Sequence, residues 1–164
     1  NGSTGHLAVE LFKNVSGIAL THVPYKGGGP ALTEVIAGQV QAMFSLALVA
    51  SPQIKVGKVR GLAITSAKRS RVAPELPTVA ESGLPGYEYA LWFGLLLPAK
   101  TPRAQVDALN GAVRRSLGNE AVRTRLLDSG AEPAPTSPDE LSAMIRADAA
   151  KWAKIIKDKG IKAD

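Results

Sequence analysis

His22-Val23-Pro24-Tyr25-Lys26-Gly27-Gly28-Gly29-Pro30-Ala31 joins the end of an apolar, β-branched run to the start of a helix. Ile18 to Val23 is a strand candidate, and Pro24 ends it. The three glycines make a loop. Pro30 suits the first turn of a helix, where a missing N–H removes no internal bond. That helix carries Leu32, Val35 and Ile36 and stops at Gly38. Strand, glycine loop and helix in succession form the unit of an α/β sheet with right-handed parallel crossovers.

The flanking sequence repeats the alternation. Ser3 or Thr4 caps a helix running to about Ser16, with Leu7, Leu11, Phe12 and Val15 on one face and Gly17 as its stop. Val40 to Phe44 and Val59 to Thr65 read as two further strands, with a helix over residues 46–56 interrupted by Pro52. A Pro/Gly-rich stretch from Pro74 to Gly86 follows, with one helical turn at Thr78 to Ser82. Glu88 to Leu97 then reads as a strand of ten residues, longer than is usual, and so as a passage between two lobes.

The second half changes character. Thr101-Pro102 opens a helix to about Leu117, whose buried face is Val106, Leu109, Val113 and Leu117. Asn119 caps another that ends at Ser129-Gly130. Ser137-Pro138 opens a third of about 20 residues, with Leu141, Ile145, Ala149, Trp152, Ile155 and Ile156 on one face. Three successive helices cannot close a core alone and need a sheet to lie on.

Composition bounds the chemistry. The chain has 164 residues, 45% of them hydrophobic and 21% charged, enough to build a core. The absence of Cys removes disulfides, thiolate catalysis and thiolate-held zinc, and two His make a His-rich metal site poor. No apolar run approaches the roughly 20 residues needed to cross a bilayer. The net charge of +6 is spread along the chain rather than gathered in a stripe with aromatics, which argues against a nucleic-acid partner. Asn1 is not a Met and no leader follows it, so the polypeptide reads as processed or trimmed.

Enzyme constellations fail early. Ser3, His6 and Glu10 share one helix start, but one helix face does not orient a triad. His6 reads as an early-helix packing or capping residue, and His22 as a packing residue. The acids of the first half, Glu10, Glu34, Glu75 and Glu81, are too dispersed for a two-carboxylate hydrolase. Trp92 and Phe93, in the passage strand, read either as packing or as hinge and stacking residues. Two glycine segments carry more. Asn1-Gly2-Ser3-Thr4-Gly5 opens one helix, and Tyr25-Lys26-Gly27-Gly28-Gly29-Pro30 opens another. Free N–H groups at a helix start attract anions, and glycine lets the anion approach closely. The first segment is equally an ordinary helix cap. The second lacks the order of a P-loop or a dinucleotide turn. Both belong to the sheet edge where α/β proteins bind ligands, and together they suit a small carboxylate.

These residues resemble a known family. His22 to Ala31 together with Asn1 to Leu7, Gly38-Gln39-Val40-Gln41, Leu62 to Ser70, Pro77-Thr78-Val79-Ala80-Glu81, Gly83-Leu84-Pro85-Gly86 and Trp92-Phe93-Gly94-Leu95 are similar to the periplasmic solute receptors of tripartite tricarboxylate transporters, the Bug family. The resemblance runs through the whole chain in order. It implies an α/β, periplasmic-binding-protein type (Venus flytrap) fold, of which this chain resembles the C-terminal half. Residues 1–93 would form the second, ligand-binding lobe. Residues 94–164 would be the crossover strand and the helices that return to a first lobe. The implied function is capture of a small organic carboxylate in the periplasm, without catalysis or cofactor, and its delivery to a membrane permease.

The family's binding turns fall on Ser3 and Thr4, and on Tyr25, Lys26, Gly27 and Gly28. After Met43-Phe44 many relatives carry Asp-Asn, whereas here stand Ser45 and Leu46. The loss of that acid argues against an α-amino acid ligand and for a plain or more apolar carboxylate. Equally, Ser45 reads as a cap for the next helix. Two other classes stay open: an enzyme or regulator acting on anionic metabolites, and an interaction module that self-associates through apolar helix faces.

Overall fold

The computed structural model describes residues 3–161. Six helices form in the order α1 (Thr4–Ser16), α2 (Gly28–Ile36), α3 (Ala47–Lys55), α4 (Arg103–Gly118), α5 (Glu120–Asp128) and α6 (Pro138–Lys159). Their ends follow local chemistry. Ser3 Oγ accepts the His6 N–H at 3.3 Å, and Gly17 closes α1 with a left-handed cap whose N–H reaches Lys13. Asn119 accepts from Val122 N at 3.2 Å to start α5. Ser137 and Glu140 exchange two bonds in a capping box at the head of α6. Pro52 lies inside α3 and offers no N–H, yet the helix runs through it to Lys55, so the expected interruption does not occur. Gly27, at φ 116°, starts α2, a conformation that a side chain would resist.

The expected parallel-sheet lobe is not formed among the described residues. Ile18 to Val23, Val40 to Phe44, Val59 to Thr65 and Glu88 to Leu97 are non-helical, as expected, but they build no ladder. One isolated parallel bridge joins Ile64 to Thr78. It consists of Ile64 N donating to Pro77 O at 2.8 Å and Val79 N donating to Ile64 O at 2.9 Å. Tyr89 N adds a bond to Thr65 O at 2.8 Å. The physical reason is what each run lies against. Segments 18–23 and 40–44 meet the side chains of α1 rather than each other's backbone edges: His22 stacks on His6, and Phe44 packs at 5.5 Å from Phe12. A strand without an edge neighbour has no hydrogen-bonded partner to complete. Its apolar side chains stay accessible, and Ile18, Val23 and Leu62 are all exposed.

Buried volume concentrates around one side chain. Tyr87 and Thr78 are each only 1% exposed, with Ala8, Leu32, Ala73 and Val79 also buried. Tyr87 donates to Ala8 O at 3.0 Å and meets Phe12 edge-on at 5.9 Å. Of the expected apolar face of α1, Val15 is exposed, and the buried positions are Ala8 and Glu10, because Tyr87 packs against the Ala8–Phe12 part of the helix. α6 packs on α1 and α4, α4 on α5, and α2 on α3. On the long helices Leu109, Ile145 and Ile156 are exposed rather than buried, and Trp152 is half-buried. The accessible surface is 11156 Å². A compact monomer of this mass would show about 7,700 Å², so the unpaired segments leave a large area in contact with water.

Candidate functional site

α1 positions the first candidate segment. Ser3 is its cap and Thr4 its first residue, both exposed. Ser3 satisfies the His6 N–H, which leaves the N–H groups of Thr4 and Gly5 without a helical partner. The Ser3 hydroxyl is bonded to a backbone amide, not to the His6 imidazole, and His6 Nε2 lies 3.9 Å from Glu10 Oε1. That is no geometry for nucleophile activation. Asn1 and Gly2, the other members of the segment, lie outside the described residues.

α2 positions the second. Tyr25 is half-buried, while Lys26, Gly27 and Gly28 are exposed. No side chain caps this helix. Gly28 and Gly29 therefore present open N–H groups, and Pro30 contributes none. Gly28 sits on α3, with its Cβ position 3.6 Å from the Val49 side chain.

Three contacts hold these parts in one neighbourhood. His22, three residues before Tyr25, stacks on His6 with ring centroids 4.1 Å apart and planes 9° from parallel. The Cβ position of Gly5 lies 3.4 Å from the carbonyl of Phe44, next to Ser45. Gly28 meets Val49 of α3. α1 thus gathers the 22–28 and 44–46 segments around its N-terminal turns. No direct bond links Ser3 or Thr4 to Tyr25, Lys26 or Ser45 among the described residues. Ser45 corrects one expectation: its Oγ donates to Leu46 O at 3.1 Å, and Leu46 is the N-cap of α3 with no side-chain cap bond. Ser45 does not cap that helix.

The electrostatics are cationic around the second segment and compensated around the first. Lys26 has no ion pair among the described residues. Glu10, only 7% exposed, is held by Lys13 Nζ at 2.7 Å. Burial, followed by the adjacent His6, pushes the His22 pKa below its ordinary value, so its ring is neutral at neutral pH. Both histidines act in packing, and no group of three metal-ligating side chains occurs among the described residues.

Tyr89 was not foreseen. Burial raises the pKa of its phenol, and the Thr4 side chain opposes that rise. Tyr89 also meets Trp152 of α6 edge-on at 5.3 Å, and Trp92 Nε1 donates to Asp148 at 2.7 Å. Lys151 donates to Glu88 O at 2.8 Å. Trp92 therefore packs by an anchored hydrogen bond, whereas Phe93 beside it is 83% exposed. The only sequence signal for Tyr89 was its place in a half-apolar run, which does not reveal its partner.

Comparison with known proteins places the chain in a family. The family described as "Tripartite tricarboxylate transporter family receptor" matches residues 1–161. Protein BugT of Bordetella pertussis is 34% identical over 161 residues, covering 98% of this chain and 49% of that protein. Among solved structures, R. palustris Rpa4515 with adipate superposes with a TM-score of 0.84 at 41% identity, over 98% of this chain and 54% of that one. MatC from Rhodopseudomonas palustris with bound malate gives 0.75 at 35% identity, over 94% and 54%. The chain spans about half the length of most of the curated relatives that it matches.

Proposed function

The chain belongs to the tripartite tricarboxylate transporter receptor family, and from that premise we propose that it binds a small organic carboxylate and serves an extracytoplasmic receptor. The carrying observation is the pair of helix starts, α1 and α2, each with two open N–H groups and both gathered around the first turns of α1. Such a pair suits a carboxylate, because each turn offers a positive dipole end and fixed donors. The Thr4 hydroxyl and the Tyr25 ring add a polar and an aromatic contact, and Lys26 adds long-range attraction. Ser45 replaces an acid with a neutral group, which favours ligands without an amino group. The adipate and malate held by the two R. palustris relatives support a dicarboxylate.

In this reading residues 1–93 form the ligand-binding lobe, and residues 94–164 the crossover and the helices that pack on the remainder of the receptor. The receptor works in the periplasm and hands its ligand to a membrane permease. The family consists of transport receptors rather than enzymes. The exposed run from Phe93 to Leu97 supports a tendency of this chain to self-associate, which light scattering would measure.

The test is a thermal-shift panel of adipate, malate, succinate, citrate, glutamate and a neutral sugar on the intact protein. A ligand at about 100 times its Kd adds roughly 2.7 kcal/mol and raises the midpoint by several degrees. A shift with dicarboxylates and none with the sugar is expected. A shift with the sugar alone would overturn the proposal.

A further inference from the structure

A cleft of about 350 Å³ opens between the end of α4, the early part of α5 and the loop before α6. None of the candidate carboxylate residues lines it. Its charged lining is three arginines from three places in the fold: Arg71 from the turn after the Ile64 bridge, Arg114 from α4 and Arg123 from α5. Leu117, Gly118, Pro133 and Pro135 supply the rest of the wall and offer few polar groups. No carboxylate lines the cleft among the described residues.

Two acids, Glu132 and Glu140, lie beside the arginines and offset part of their charge. Glu132 accepts the Arg71 N–H at 2.8 Å and the Ser70 hydroxyl as well, while its carboxylate stays 3.9 Å from Arg71 Nε. It fixes the backbone of the 70–71 turn and leaves most of the guanidinium donors open. Glu140 accepts the Ser137 N–H at 2.7 Å, and after its bonds to Ser137 the nearby Arg114 charge also helps to hold its carboxyl below the usual range. Arg114 and Arg123 make no ion pair among the described residues. Three arginines outnumber the two acids around this concavity, and an anion between them relieves the repulsion that remains. A monoanion would neutralise one guanidinium and leave two opposed. An anion with several charges can engage two or three forks, each matched in shape to a carboxylate or phosphate edge. The volume lies at the lower end of the range for small-molecule sites.

We propose that this cleft is a second anion site, distinct from the helix-start site, that takes a compact oxyanion carrying two or more negative charges, of the phosphate or multi-carboxylate kind. The proposal does not depend on the receptor reading. Because the arginines are exposed, binding weakens as salt rises.

Calorimetric titration of the 164-residue chain at low salt, with inorganic pyrophosphate, citrate and acetate, tests it. Pyrophosphate or citrate binds and acetate does not. Pyrophosphate alone identifies the ligand as a phosphate, and citrate alone as a multi-carboxylate. The paired substitution Arg114→Gln with Arg123→Gln weakens polyanion binding at least tenfold, and leaves the thermal midpoint and the response to adipate unchanged. Should that variant fail to fold, Arg123→Gln alone gives the same readout with a smaller loss. Binding that is unaltered by these substitutions, or no stronger than that of acetate, overturns the proposal.

Discussion

The hydroxyl of Tyr87 donates a 3.0 Å hydrogen bond to the carbonyl of Ala8, across 79 residues of sequence. The acceptor lies in the middle of α1, and both residues are only 1% exposed. Burial lifts the Tyr87 pKa to about 12, so the proton that makes this bond stays in place at any ordinary pH. The contact fixes the segment after the Pro/Gly-rich stretch onto α1, which also carries the first candidate binding turn.

Removing only the hydroxyl, in Tyr87→Phe, deletes this bond while the Ala8 carbonyl keeps its partner within the helix, and costs about 1 kcal/mol. Removing the ring, in Tyr87→Ala, costs about 3–5 kcal/mol, because a buried aromatic leaves a cavity beside Phe12. Chemical denaturation of the two variants measures both. Equal losses would mean that the ring contributes nothing beyond its hydroxyl.

Gly130 sits where no side chain fits. Its φ is 85°, and a Cβ built there would lie 2.5 Å from Leu48 N and 2.7 Å from Leu48 Cα. Both atoms are backbone near the start of α3, so they cannot swing aside. Gly130→Ala destabilises by about 2 kcal/mol or more, from the left-handed backbone and the contact together. Gly118→Ala, at a position with nothing within 4 Å, is the control and shows no such loss in a thermal melt.

Acid weakens the His6–His22 stack. The folded pKa of His22 is depressed, chiefly by burial and then by His6, although Glu10 pulls the other way. The native state therefore prefers the neutral ring. The resulting stability is present above the unfolded value of 6.5 and is lost as pH falls through the lower folded pKa. His22→Gln abolishes this part of the decline in melting temperature between about pH 8 and pH 5. An unchanged slope would place the acid sensitivity elsewhere.

Ser45→Asp tests the ligand preference. A carboxylate beside the gathered helix starts repels an anionic ligand and attracts an amino group. Dicarboxylate affinity falls about tenfold, or ~1.4 kcal/mol, and glutamate affinity rises in the same titration. Unchanged affinities for both would place Ser45 outside the site.

The helices were legible because their caps are local. Ser3, Asn119 and Ser137 each accept a bond from an amide three residues on, a relation that can be read from a few letters of sequence. Strand pairing is not local. Ile18 to Val23 and Val40 to Phe44 have strand composition, yet no letter within them states whether an edge neighbour is present. The same limit applies to the site. Ser3 and the glycines before Pro30 declare two anion-suited helix starts. The stack of His22 on His6, and the edge-on contact of Tyr89 with Trp152, join distant residues and leave no trace in spacing. Gly130 was readable as a helix end, but its approach to Leu48 was not.

The large accessible surface sets the thermodynamics of unfolding. A chain of this mass unfolds to about 24,800 Å², so this one gains about a fifth less hydrated area than a compact monomer would. Heat capacity change and denaturant slope both scale with that gain. Both quantities are expected to be about a fifth smaller for this chain than for a compact monomer of the same mass, which calorimetry and a denaturant titration measure.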